Sequence, residues 1–196
     1  MKYEAKNFEH LLGLKGFSDN ALKTHFALYQ GYVNNTNKLR DELHELANGG
    51  KLDSVQHAEL KRRLGWEFDG MRLHEYYFGA LSKESQPLSE SSALYKKIEK
   101  DFGSFGDWEK MFRAVASQRG IGWAILYYDV HGDQLLDVWV NEHDAGHLAG
   151  CVPLVNMDVF EHAFMLDYGT KKADYISAFM DAVDWKEVSK RFDSAK

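Results

Sequence analysis

The sequence predicts an α+β fold: an N-terminal long antiparallel helical hairpin, then a C-terminal domain with a three-stranded antiparallel sheet and surrounding helices. Three observations predict it. Two long stretches in the first half carry apolar and aromatic residues at helical spacing and are joined only by a short polar turn around Asn48-Gly49-Gly50. Three short runs rich in β-branched and aromatic residues lie in the second half. Between them, residues 82–92 carry Pro87 and five serines, which marks a boundary and divides the chain into 1–86 and 87–196.

The elements follow in order. Phe8, Leu11, Leu12, Leu14 and Phe17, interrupted by Gly13 and Gly16, form an apolar lead-in packed irregularly on the body. Ser18-Asp19-Asn20 supplies N-cap chemistry for a helix reaching Asn48, where Gly49 and Gly50 stop it. His25, Leu28, Tyr29, Tyr32, Asn35, Thr36 and Leu39 define one face of that helix by their three- and four-residue spacings. Asp53-Ser54 caps a second helix over 55–81. Antiparallel packing puts His25, near the start of the first helix, at the same end of the hairpin as His74, near the end of the second.

Past the serine-rich boundary, helices are predicted over 90–102 and 105–118, separated by Gly103-Ser104. Gly120-Ile121-Gly122 leads into a strand over 123–128, Asp129 to Asp133 turn, and 135–140 return as the second strand of a hairpin. Residues 141–150 form a polar loop with His143 and His147, and 152–157 form a third strand that ends by delivering Asp158. Helical patterns over 160–166, 173–183 and 185–192 complete the chain.

Composition narrows the function. With 196 residues, 44% of them hydrophobic, the chain can bury a real core. A net charge of −6 argues against nucleic acid or an anionic membrane as the main partner, while a small anionic substrate stays open because a cleft's local field can oppose the net charge. No apolar run is long enough to span a bilayer, and no apolar segment follows the charges at the N-terminus, so a cytoplasmic location is expected. The single cysteine, Cys151, fits a reducing compartment and reads as a small buried apolar residue.

The chemistry concentrates at residues 155–164. Asp158 and His162 are four positions apart, so a strand end running into a helix can aim both at one point. A carboxylate and an imidazole make half of a transition-metal site, and His25 and His74 share one end of the hairpin. His10, His44, His57 and His131 sit in polar or turn contexts and read as surface residues.

Asp158-Val159-Phe160-Glu161-His162-Ala163 matches the Asp-x-Trp-Glu-His-Ala motif of the iron and manganese superoxide dismutases, with Phe160 in the Trp place. Gly103-Ser104-Phe105, Gly120-Ile121-Gly122-Trp123, Tyr168, Asp174-Tyr175 and Trp185 match landmarks of the same family in the same order, so the chain resembles that family over nearly its whole length. The resemblance implies dismutation of superoxide to dioxygen and hydrogen peroxide at one iron or manganese ion per subunit. It also implies that His25, His74, Asp158 and His162 are the four protein ligands.

Further roles come from the same resemblance. Tyr32 matches the tyrosine that relays protons toward the site, although it follows the first ligand by seven residues and in most members by eight. A glutamine usually accompanies it, either four residues before the second ligand, where Gly70 stands here, or from the loop, where His143 stands fifteen residues before Asp158. His143 takes that role, with His147 as the competing candidate. Glu161 implies a homodimer in which it reaches His162 of the partner subunit, a tetramer being the larger alternative. Met165 replaces a tyrosine that usually crosses that interface, and Leu28 or Tyr29 stands where its histidine partner would be. The metal choice depends on outer residues such as His143 and Asn156, and a histidine in the loop resembles iron-using or metal-tolerant members, which leans toward iron. The rival reading is a relative that keeps the fold and serves as a non-catalytic metal-binding or structural protein.

Overall fold

A computed structural model describes residues 1–196. The N-terminal half is a helical hairpin of α1 (Asp19–Asn48) and α2 (Val55–Gly79). Each helix opens on a serine whose hydroxyl accepts a backbone N–H: Ser18 from Ala21, Ser54 from His57. These contacts satisfy amide protons that have no partner inside the helix. The second helix ends at Gly79, two residues earlier than the spacing predicts, because Leu81 leaves to form a bridge with Val183. The buried stripe of α1 runs through Leu22, His25, Tyr29, Val33 and Thr36. Leu28, predicted on that face, is 38% exposed: the stripe advances in near-fourfold steps, and Leu28 falls to one side of it.

The C-terminal half holds α3 (Ala93–Phe102), α4 (Phe105–Ala116), β1 (Gly122–Asp129), β2 (Gln134–Asn141), β3 (Cys151–Asp158), α5 (Glu161–Tyr168), α6 (Lys172–Ala182) and α7 (Trp185–Ala195). The sheet has the order β2-β1-β3 with both pairings antiparallel. The middle strand is buried through seven of its eight residues, which is why it reads as an unbroken apolar run and not as an alternating one. Gly122 starts it with φ of +154°, where a β-carbon would fall 2.1 Å from the Val140 carbonyl oxygen. No other residue fits there.

One apolar cluster extends from Phe8, Leu11 and Leu14 in the lead-in through Tyr77 and Phe78 of the hairpin to Phe179 and Phe192, so the hairpin and the sheet share a core. Arg191 adds a polar tie, donating to the carbonyls of Leu154 in β3 and Tyr76 in α2. The lead-in is short 3₁₀ turn and irregular backbone, with Phe8, Leu11, Leu14 and Phe17 all buried. Cys151 is partly exposed, because it lies at the outer end of an edge strand. No helix is long and apolar enough to cross a membrane.

Candidate metal centre

Four elements deliver four donor groups to one point. His25 comes from the first third of α1, His74 from the last turns of α2, Asp158 from the end of β3 and His162 from the first turn of α5. One ligand-type atom from each can be chosen so that all lie within 4.8 Å of one another. Asp158 is the hub. Its Oδ2 lies 3.1 Å from Nε2 of His25, 3.1 Å from Nε2 of His162 and 3.5 Å from Nε2 of His74. The residues read from the sequence as a ligand set are the residues the fold brings together.

Local structure fixes the aim of each group. Asp158 pairs with Trp123 in the β1–β3 ladder, and its carbonyl accepts from the Tyr175 hydroxyl at 2.6 Å. Its Oδ1 accepts the Phe160 N–H at 2.9 Å, a turn that leaves Oδ2 facing the imidazoles. His74 Nδ1 lies 2.5 Å from the Gly70 carbonyl one helical turn back. A carbonyl can only accept, so Nδ1 carries the proton and Nε2 presents a lone pair. That Nε2 is buried with no hydrogen-bond partner. A buried lone pair aimed at a carboxylate and two further imidazoles is what a cation would satisfy, and three neutral nitrogens with one carboxylate suit a first-row transition ion.

The electrostatics agree. Burial by itself would raise the Asp158 carboxyl, but the charge and hydrogen bond of His162 and the hydrogen bond of His25 hold it well below the usual carboxylate range. Burial pushes His25 down against the opposing pull of Asp158, and pushes His74 further down, with His25 adding to the effect. His162, the most exposed of the three with 23% of its side chain accessible, goes the other way: burial lowers it, and the Asp158 charge and hydrogen bond outweigh that.

Tyr32 and His143 stand beside this cluster as a pair. The His143 Nε2 and the Tyr32 hydroxyl are 2.8 Å apart, and the Tyr32 ring stacks on His74 with centroids 5.3 Å apart. On a regular helix seven residues return to within about 20° of the starting direction, so the spacing from His25 to Tyr32 puts both on the side of α1 that faces the site. His143 is fully buried although it sits on a loop. Trp123 donates its indole N–H to His143 Nδ1 at 3.1 Å, so the neutral ring carries its proton on Nε2 and donates it to Tyr32. Burial drives His143 down to about 4, despite the Asp158 charge, and drives Tyr32 up to about 12, helped by Asp158 and Glu67. Both are neutral near pH 7. His147, the competing loop histidine, does not reach Tyr32; its Nε2 lies 2.7 Å from the His143 carbonyl.

Sequence reading missed Trp66. Its ring meets His143 edge-on at 4.6 Å and lies 5.5 Å from Tyr32, helping to cover the pair, with Arg63 stacked over it at 3.7 Å. The signal was present, since Trp66, Gly70 and His74 repeat every four residues along one face of α2. Phe160 stacks on His143 at 4.7 Å and on His162 at 5.2 Å, filling the wall that the motif's tryptophan would fill.

A helical hairpin and an α+β half that together present three histidines and one aspartate define a class of protein built to hold a single metal ion between two parts of one chain. Residues 90–191 match the family model described as iron/manganese superoxide dismutases, C-terminal domain. The chain is 37% identical to superoxide dismutase [Mn] 2 of Haloferax volcanii over 171 residues, covering 87% of this chain and 84% of that one. It is 34% identical to superoxide dismutase [Fe] of Aquifex pyrophilus, covering 99% and 92% of the two chains. With superoxide dismutase [Fe] of Methanothermobacter marburgensis the identity is 35%, covering 90% and 88%. The chain belongs to the iron/manganese superoxide dismutase family.

Proposed function

We propose that this protein is a superoxide dismutase, with His25, His74, Asp158 and His162 holding one iron or manganese ion. The carrying observation is the convergence of those four donors around a buried, unpartnered His74 Nε2 in a chain of this family. The chemistry such an ion supplies when bound is one-electron cycling between two oxidation states, which lets one superoxide leave as dioxygen and a second, with two protons, leave as hydrogen peroxide. The chain's own part is to hold the ligands in place, with burial favouring the unprotonated rings of His25 and His74, and to keep a proton at hand. Because His143 donates to Tyr32, the Tyr32 hydroxyl proton is free to point elsewhere, and a neutral phenol at the edge of the cluster is a proton donor.

Iron is favoured over manganese because His143 occupies the place of the usual glutamine; relatives carry both metals in their names. The homodimer reading rests on Glu161, an exposed acid beside the most accessible ligand, whose proposed role is to reach His162 of the partner subunit and fix its orientation. Cytoplasmic residence goes with the reducing compartment inferred from Cys151. The boundary between residues 86 and 87 is supported by the family match that begins at residue 90.

Superoxide consumption and metal content of the purified protein, compared with His162→Ala, test the reading. Metal-dependent activity that disappears in the variant is expected, and reconstitution with each metal separately is expected to favour iron. A wild-type protein that takes up neither metal and consumes no superoxide overturns it and leaves the non-catalytic relative.

A further inference from the structure

We infer that His147 is a positioning residue for His143, acting together with Tyr127; the inference rests on the reading of His143 as the partner of Tyr32. A fully buried ring on a surface loop poses a physical problem. Glu142, Asp144, Ala145 and Gly146 are all exposed, yet His143 between them is completely buried and bonded at both ring nitrogens. The ring can hold that place only if its own peptide is held.

Backbone bonds between Asn141 and Ala145 and from Glu142 to Ile121 close the loop, and two side-chain contacts add to them. Glu142, with φ of +52°, accepts the Trp66 indole N–H at 2.9 Å and ties the start of the loop to α2. His147 grips residue 143 itself. Its Nε2 lies 2.7 Å from the His143 carbonyl oxygen and its Nδ1 lies 2.6 Å from the Tyr127 hydroxyl. A carbonyl only accepts, so Nε2 carries a proton, and in that tautomer Nδ1 accepts from the Tyr127 O–H. Tyr127 is 3% exposed and belongs to the middle strand of the sheet, at the step where its pairing with β3 shifts register. Asp69 of α2 stands 3.6 Å from the same Nε2, an acceptor-side charge that favours the N–H pointing that way.

The chain of contacts therefore runs from the Tyr127 hydroxyl through His147 to the His143 peptide, and from the His143 ring to the Tyr32 hydroxyl. A rigid five-membered ring with a donor on one nitrogen and an acceptor on the other spans this gap without a rotatable bond between its two contacts. Alanine cannot make either contact. Glutamine can donate its amide N–H to the carbonyl, so it restores the contact to residue 143.

The test uses iron-loaded full-length protein with His147→Ala, His147→Gln, Tyr127→Phe and His143→Ala. The readouts are kcat and KM measured separately, the visible absorption of the oxidised iron form, metal content and thermal unfolding. His147→Ala is expected to lower kcat about tenfold, the scale of a lost outer contact at a metal site, with little change in KM. It should also move the absorption in the direction that His143→Ala moves it, at unchanged iron content. Tyr127→Phe should give a smaller shift of the same sign, and His147→Gln should recover most of kcat. If His143→Ala changes kcat and spectrum while His147→Ala and Tyr127→Phe change neither, the positioning role is overturned. If His143→Ala itself changes neither, the reading beneath falls and the inference with it.

Discussion

The Tyr32 ring rests on the bare backbone of Gly70. A β-carbon at residue 70 would lie 2.6 Å from Tyr32 Cδ1 and within 2.9 Å of two further ring carbons. Contacts that short cannot be met without moving an aromatic ring that is itself stacked on His74. Gly70→Ala is therefore expected to displace the Tyr32 hydroxyl from His143, destabilising the fold by about 1–3 kcal/mol. Activity should fall by about tenfold or more, with the ligands and metal content intact. Steady-state kinetics beside thermal unfolding check it, and an alanine variant with wild-type kcat would show that Tyr32 tolerates the shift.

His143→Gln tests what the loop position requires. The amide carbonyl can accept from Trp123 and the amide N–H can donate to Tyr32, reproducing both of the ring's contacts. Activity within a few-fold of wild type is the expectation, in contrast to His143→Ala. A glutamine variant as impaired as alanine would mean that the imidazole does something beyond bridging these two groups.

Asp137 predicts a pH dependence away from the site. Burial lifts its carboxyl to about 7 although Trp108 donates to Oδ1 at 3.0 Å, and Oδ2 is buried without a partner. A carboxyl whose folded pKa is raised contributes its stability in full below the ordinary pKa of about 3.9 and loses it as pH climbs through the folded value. Between pH 4 and 8 the wild type should lose stability from this residue on the order of 4 kcal/mol. Asp137→Asn keeps the acceptor for Trp108 and removes that slope, so chemical denaturation at pH 5 and pH 8 should show the variant gaining on wild type only at the higher pH.

Glu161→Ala separates assembly from chemistry. If Glu161 bridges to His162 of the partner subunit as proposed, light scattering at micromolar concentration should report a shift toward monomer, accompanied by weaker metal retention because a ligand loses an orienting group. A variant that remains fully dimeric with its metal bound would remove Glu161 from the interface.

Much of the site was legible because its chemistry is carried by residue types that spacing exposes. His25 and His74 could be placed at one end of a hairpin from helix length alone, and Asp158 and His162 from the passage of a strand into a helix. The third dimension was harder. Trp66 repeats with Gly70 and His74 along α2, but nothing in that repeat says that its ring would cover His143, a residue 77 positions away in the chain. Leu28 was misplaced for a related reason, since three- and four-residue spacings admit a stripe wider than the one α1 buries. His143 was chosen over His147 only by its place in the family resemblance, because the role of the second histidine depends on the Tyr127 hydroxyl in a strand whose register the loop itself does not encode. Helix ends shifted by two or three residues where a serine cap or a bridge such as Leu81 to Val183 decided the boundary.

The hub position of Asp158 also makes the donor set a property of the whole chain. Two of the four donors lie on the hairpin, with the His25 and His74 ring centroids 4.9 Å apart. The other two come with the third strand and the helix after it, and the carboxylate is set by that strand's pairing along the middle one, with Asp158 opposite Trp123. Neither half of the chain carries the full set, so an ion held by all four donors would fasten the end of the chain to its beginning.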